Sequence, residues 1–300
     1  MFSLNYKMCD LLVIDTYNMI NRSKLPWTIV EDSNLVILSF LKVLNNTIHN
    51  FNPTKVVMAY DDYVGNSFRK ELYPDYKSQR YEKNRNDTFS GCFRKQKEII
   101  FDILEHIFPV YTLKYKGYEA DDVIASIGKI VSDDISMVIW SNDQDLLQIQ
   151  QAFKNVKVYD PKKKDYMTTP DYKVSDFKSL TGDISDNIKG VGGIGKITAE
   201  KILKSDLEFI KHVASKPERY IRYKNNKKII DLIDSGLVVP ENLDFLLSQK
   251  KYFHSEKLFN FIKNNGYPYA DNLFNSLNST FSRLENRTNS VNRDWFYNRG

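Results

Sequence analysis

Three short apolar runs that lead into acids constrain this chain more than any other feature of its sequence. They are CDLLVID (9–15), KVVMAYD (55–61) and ISMVIW (135–140), the last followed at once by SNDQD (141–145). Each is short, rich in branched side chains and continuously apolar, as a strand buried on both faces must be. After the first run, residues 33–49 carry Leu35, Leu38, Leu41 and Val43 at helical spacing. Further helices are expected over 99–108 and 119–131. Strands alternating with helices predict an α/β fold with a parallel sheet flanked by helices. Open sheets of this kind gather functional groups at the carboxyl ends of their strands. Asp15, Asp61, Asp62, Asp143 and Asp145 all fall there. Any one of them could equally cap the helix that follows it. Three strands delivering acids to one edge speak for a shared site.

The composition sets the outer bounds. With 42% hydrophobic and 13% aromatic residues among 300, the chain can fill a packed core of one large or two smaller domains. We expect an α/β core over 1–180 and a mostly helical region over 181–300 that ends in a polar, Asn- and Ser-rich, partly disordered tail. The net charge of +5 is compatible with a polyanionic partner. Two cysteines, Cys9 and Cys92, make neither a disulfide framework nor a metal pair, so a reducing cytoplasm is expected. Four scattered histidines exclude zinc-type spacing. No run approaches the length of a membrane span, and the amino terminus lacks the apolar stretch of a signal peptide.

Three stretches carry chemistry. In GYEADDVIA, Glu119, Asp121 and Asp122 crowd the start of a helix, and TGDISDN places Asp183 and Asp186 three apart. Acids suit a helix amino terminus electrostatically, which is the plain reading of EADD alone. Joined by Asp15, Asp62, Asp143 and Asp145, they form an oxygen-only ligand set that points to Mg²⁺ or Mn²⁺. The second stretch, 69–97, holds nine basic residues against four acids, with Tyr73, Tyr76, Tyr81, Phe89 and Phe93 interleaved. Cations for phosphates and rings for unstacked bases suit a single-strand grip; a solvated helical hairpin is the competing reading. The third is NIKGVGGIGKITAEKIL (187–203), where Gly190, Gly192, Gly193 and Gly195 make a tight turn before a helix opening at Lys196. Backbone N–H groups there can hold a phosphate without reading sequence. The pattern fits a helix-hairpin-helix, and it lacks the closing Lys-Ser/Thr of a P-loop.

Taken together, VID-x-x-N, AYDD…SFRKELYPDYKSQR, GYEADDVIAS, SNDQDLLQ and TGDISDNIKGVGGIGKITAEKIL resemble, in order, the motifs of the 5′-nuclease superfamily. That family comprises flap endonucleases, phage 5′-exonucleases and the 5′-nuclease domain of bacterial DNA polymerase I. The resemblance spans about 11–203, and the length is most similar to the stand-alone phage type. It implies a PIN-like core, a helical arch at about 63–107 and two-metal cleavage of branched or 5′-ended DNA, with RNA primers as a further substrate. Mg²⁺ is the implied cofactor, with Mn²⁺ able to replace it and K⁺ at the glycine turn. Carried over by motif, Asp15, Asp62, Glu119, Asp121 and Asp122 would form one part of the metal cluster, and Asp143, Asp145, Asp183 and Asp186 the other. Counting back from Ser67 without a gap points to Asp62 rather than Asp61. Tyr76, Lys77 and Arg80 match YK-x-x-R at the arch base, where Lys77 and Arg80 would stabilise charge on the scissile phosphate. Arg69, Lys70, Lys83, Arg85, the four turn glycines and Lys196 would contact DNA. The family's Asp-Gly-x-Asn stands here as Asp15-Thr16-Tyr17-Asn18. A monomer, working in the cytoplasm with replication proteins as partners, is implied. The alternative is an inactive, structure-selective DNA-binding protein of the same fold. A phosphatase of the haloacid dehalogenase type would need a second Asp where Tyr17 stands.

Overall fold

The computed structural model describes residues 9–23, 34–62, 68–79, 90–233, 242–267, 269–290 and 295. Its centre is a six-stranded sheet of Leu11–Asp15 (β1), Lys55–Ala59 (β2), Tyr111–Leu113 (β3), Met137–Trp140 (β4), Val156–Asp160 (β5) and Asp165–Tyr166 (β6). The spatial order is β3-β2-β1-β4-β5-β6, parallel throughout except for the antiparallel edge pair of β5 and β6. The chain therefore builds outward from β1 in one direction through β2 and β3, then returns to β1's other side with β4 and β5. The switch point lies between β1 and β4, where open sheets of this kind place their ligands.

All five residues of β1 and of β2 are buried, which explains why neither shows a polar face in the sequence. Alternate side chains serve opposite layers. Leu12, Ile14, Val56, Met58, Val138 and Trp140 point into one apolar cluster, and Leu11, Val13, Val57, Ala59, Met137 and Ile139 into the other. The first layer is covered by Thr16–Ser23 (α1), Leu35–Phe51 (α2) and, beyond Phe68–Leu72 (α3), by Ser90–His106 (α4). Ala120–Ile130 (α5) and Leu147–Ala152 (α6) cover the second. Strand β5 escapes the sequence reading because Lys157 interrupts its apolar run; the side chain is exposed, with Nζ 5.6 Å from the Tyr166 ring centre.

Val174–Thr181 (α7) then leads into a hairpin of Gly182–Asp183 (β7) and Ile188–Lys189 (β8), the glycine turn and Lys196–Leu203 (α8). Leu180, Val191, Ile194, Ala199 and Ile202 make a separate small core between them. Short Asp206–Phe209 (α9) and then Pro217–Ile230 (α10) follow, and Asn226 Nδ2 fastens α10 to both Ser179 O and Lys189 O at 2.9 Å. Of the expected arch, 63–67 and 80–89 lie outside the described residues, and with them Arg80, Lys83 and Arg85.

The described part of the expected polar tail is helical up to Ser290, and 291–294 and 296–300 lie outside the described residues. After Leu243–Ser248 (α11) and Ser255–Asn264 (α12), residues Ala270–Ser290 form a 21-residue helix, α13. Its Asn and Ser residues mask an amphipathic pattern: Leu277, Phe281 and Leu284 are fully buried in the α2 layer. Phe281 stacks on Phe108 with ring centres 4.0 Å apart. Phe281→Ala should therefore cost about 3–5 kcal/mol of unfolding free energy. A urea titration giving a loss below about 1 kcal/mol would show that α13 is dispensable to the core.

Candidate active site

Because β1, β2 and β4 run in register, the residues that follow them emerge side by side. Asp15 closes β1, and α1 begins immediately, so the Asn18 N–H donates to Asp15 Oδ1 at 3.0 Å. Ser141, the first residue past β4, donates its hydroxyl to Asp15 Oδ2 at 3.0 Å and accepts the Asp143 N–H at 3.1 Å. Asp143 Oδ1 in turn accepts the Asp145 N–H at 2.9 Å. Beyond β2, Asp61 Oδ1 accepts the Ala120 N–H at 2.7 Å, at the start of α5. The opening of α5 is completed by Asp122 Oδ2, which accepts the Glu119 N–H at 3.0 Å. In the hairpin loop, Asp183 Oδ1 accepts from both the N–H and the hydroxyl of Ser185.

These elements surround one open cavity of about 240 Å³. Asp15, Asp61, Glu119, Asp121, Asp143, Asp145 and Asp186 line it, with Lys77 and Lys178. Asp183 lines a smaller adjoining recess with Tyr76, Asp145 and Lys178. The charge is unevenly balanced. Lys77 Nζ lies 2.7 Å from Glu119 Oε1; burial pushes Glu119 up, but Lys77 and Arg69 leave it below its ordinary value. Lys178 bridges Asp145 and Asp183, at 2.8 Å from Asp183 Oδ2. Burial acts upward on Asp183, yet the bonds from Lys178 and Ser185 bring it down to about 2. At the centre no such cation stands among the described residues. Burial pushes Asp15 up to about 7, with the charges of Asp61 and Asp143 adding to the rise. Asp121 is raised well above its ordinary value by burial and by Asp143 and Asp15. Asp145 rises to about 6 through burial and Asp143, against the pull of Lys178.

A buried set of oxygen donors forced against one another fits a hard divalent cation in chemistry. In their present positions no three described carboxylates surround a common point closely enough to share one ion. The two lysines hold Glu119, Asp145 and Asp183 toward themselves.

Several expected site residues sit elsewhere. Asp62 turns away from the cavity: its Oδ2 accepts the Gly117 N–H at 2.9 Å and its Oδ1 lies 3.3 Å from Lys114 Nζ. Asp61 takes the cavity position instead, because the chain beyond β2 puts successive side chains on opposite sides. Asp122, only 1% exposed, makes a bidentate pair with Arg69 at 2.6 Å on both arms. Arg69 is thus buried rather than offered to DNA, and its Nε also donates to Ile229 O at 2.8 Å. Lys70 is half-buried on α3. Tyr76 is buried, and its hydroxyl lies 3.0 Å from Glu119 Oε2 and 3.1 Å from Asp186 Oδ2. Gly190 packs against backbone, since a Cβ there would meet Thr181 O at 2.4 Å. Gly192, Gly193, Gly195 and Lys196 are exposed. Lys178 and Ser141 were missed in the sequence. The signal for Lys178 is its place one helical turn before the TGD motif, and for Ser141 its place directly after a buried strand.

Residues 10–178 match the family model of the 5′-3′ exonuclease N-terminal resolvase-like domain. The chain belongs to this family. A 5′-3′ exonuclease of Mycoplasmopsis pulmonis is 31% identical over 204 residues, covering 65% of this chain and 66% of that one. DNA polymerase I of Caldicellulosiruptor bescii is 32% identical over 204 residues, 63% of this chain but 23% of the polymerase. The chain thus spans about two thirds of the first relative and less than a quarter of the second. In fold, it is similar to a bacteriophage T5 flap endonuclease variant solved with DNA and metal ions, with a TM-score of 0.63 at 18% identity over 91% of this chain and 99% of that one. The catalytic core of Rad2, solved with DNA substrate, gives a TM-score of 0.55 at 15% identity, covering 94% of each chain. The likeness to these two solved structures is one of fold.

A carboxyl held above its ordinary value binds its proton more tightly in the folded chain, so the fold gains from it at low pH and loses that gain as the pH rises toward 7. In EDTA, Asp15→Asn should therefore melt several degrees above wild type at about pH 8, with the gap closing by about pH 4. A gap that is absent, or that widens toward acid, would contradict the crowding of charge at Asp15.

Proposed function

We propose that this protein is a Mg²⁺-dependent, structure-specific 5′-nuclease that hydrolyses phosphodiesters of 5′-flapped or 5′-ended DNA, and of RNA–DNA hybrids at primers. The observation that carries this is the convergence of acids from the ends of β1, β2 and β4 and from the first turn of α5 on one cavity. Membership of the 5′-3′ exonuclease family supports it. Asp15, Asp61, Glu119, Asp121, Asp143, Asp145, Asp183 and Asp186 would hold the divalent ions, with Mn²⁺ able to replace Mg²⁺. When bound, such ions supply activation of a water and stabilisation of the leaving oxygen.

The chain's own residues supply the rest. The Tyr76 hydroxyl lies within reach of both Glu119 and Asp186 and donates its one proton to either of them. Lys77 sits on the cavity wall with a left-handed backbone, φ 54°, and its ammonium lies 2.7 Å from Glu119 Oε1. Exchanging that carboxylate for a scissile phosphate would place a positive charge where negative charge develops. Arg80 would act beside it at the arch base. The exposed N–H groups around Gly192, Gly193 and Gly195, with Lys196, suit a duplex backbone, K⁺ assisting. Residues 1–180 would form the cleaving unit and 181–300 the duplex-holding one, in a monomer serving cytoplasmic replication proteins. No described helix is long and apolar enough to cross a membrane.

A 5′-end-labelled flap duplex, incubated with Mg²⁺ or with EDTA, tests the class and polarity together. Cleavage near the junction in Mg²⁺ alone is expected. Asp143→Asn with Asp145→Asn should lower it at least a thousandfold, on the order of 4 kcal/mol of transition-state stabilisation, while retaining flap binding. Near wild-type cleavage by that double variant would sink the assignment. Tight flap binding by the wild type without cleavage would favour the inactive binding protein.

A further inference from the structure

A second polar cavity lies at the amino edge of the sheet, away from the carboxylates. It has a volume of about 200 Å³ and is lined by Ile48, His49 and Asn52 at the end of α2 and by Thr280, Arg283 and Arg287 on α13. The three α13 residues recur at helical spacing and share one face. Pro53 and Thr54 connect this corner to Lys55, the first residue of β2. Because β2 runs from there toward Asp61, the strand's length separates the two cavities, roughly 17 Å at about 3.3 Å per residue.

The charge here is opposite in sign and lacks internal balance. Arg283 and Arg287 stand four apart on one helix, an arrangement that repels. Among the described residues neither is paired with a carboxylate. Arg283 Nε donates to Ser279 O at 3.1 Å and Arg287 Nε to Pro53 O at 2.8 Å, bonds that leave the terminal nitrogens of each fork out of use. Burial and the charge of Arg283 hold Arg287 below the usual guanidinium range. Capping the carbonyls at the end of α2 explains only part of this. Ile48 O is already taken by the Asn52 N–H at 2.9 Å, and Pro53 O occupies one arginine, so Arg283 has no capping duty there. Two guanidinium forks, an amide and a hydroxyl line the cavity, a set of donors suited in chemistry to an oxyanion. The space is compact and mostly polar, which suits one tetrahedral group better than a length of acidic peptide with its own side chains.

We infer that this cavity binds a phosphate group, carried by a nucleotide or by a nucleic-acid backbone, at a point remote from the carboxylate site. Calorimetric titration of the whole chain in EDTA, where the carboxylate cavity repels anions, tests it with inorganic phosphate, adenosine monophosphate and a short blunt duplex. Arg283 is exposed and far from the carboxylate cavity, so R283Q should melt as wild type does. Saturable phosphate binding, weakened about tenfold or more in R283Q, is expected. Tighter binding of the monophosphate would identify a nucleotide site, and an R283Q defect greatest for the duplex a backbone site. Superimposable isotherms of wild type and R283Q for all three probes would overturn the inference, as would a response to a polyglutamate peptide alone. Flap cleavage is read separately, so loss of one proposal leaves the other standing.

Discussion

The parallel pairing of β1 with both of its neighbours is the constraint on which everything else rests. Asp15 stands opposite Ala59 across one ladder, and Ile14 opposite Trp140 across the other. That register forces the chain to leave three adjacent strands at one edge, so Asp15, Asp61 and the 141–145 turn are neighbours although up to 130 residues apart in sequence. The same geometry starts α1 and α5 at that edge, where their first N–H groups meet Asp15 and Asp61. Helix amino termini and acids are each other's partners here, and neither would be stable at the edge alone. The plain reading of EADD as a helix opening and the functional one therefore hold together: Asp122 and Asp61 serve the helix, and Asp121 faces the cavity.

How the negative charge is tolerated divides the site into rim and centre. Lys77, Lys178 and Arg69 neutralise Glu119, Asp145, Asp183 and Asp122 around the margin. The Arg69–Asp122 pair is buried deeply enough that losing either partner would strand a charge, and it ties α3, at the start of the expected arch, to α5 and the end of α10. Asp15 and Asp121 receive no such cation among the described residues, and burial with neighbouring acids pushes both carboxyls above their ordinary values. Positive charge is needed at the centre while the rim is already served, which is the distribution expected of a cavity that takes cations from solution. The same lysines that settle the rim keep its carboxylates turned toward themselves.

Most of the fold was legible because buried parallel strands are continuous apolar runs and their helices keep a 3.6-residue period. The elements that escaped are those where the pattern is diluted. Three-residue β3 is too short to show one, Lys157 breaks β5, and α13 hides five large apolar residues, Leu273, Phe274, Leu277, Phe281 and Leu284, among Asn and Ser. The site was legible at the level of motifs: Asp15, Glu119, Asp121, Asp143, Asp145 and Asp186 all reach one cavity. It failed where neighbouring residues of the same type had to be told apart. Asp61 and Asp62, or Asp121 and Asp122, differ only in which way the backbone turns their side chains.

Residue types and their local spacing set the available chemistry: oxygen ligands without histidine or cysteine, strands that end in acids, and glycines where the backbone must turn. Those are properties of residue type and local spacing, and local physics fixes them. The partners of these groups were set by the packing of segments distant in sequence. That packing turned Asp62 to Lys114 and Asp61 to the cavity, buried Arg69 on Asp122, brought Lys178 from α7 to two acids of different elements, and seated two arginines of α13 beside the end of α2. Pairings of that kind depend on the direction of a side chain and on a distance between segments remote in sequence. A one-residue change of register reverses the first and folding alone sets the second.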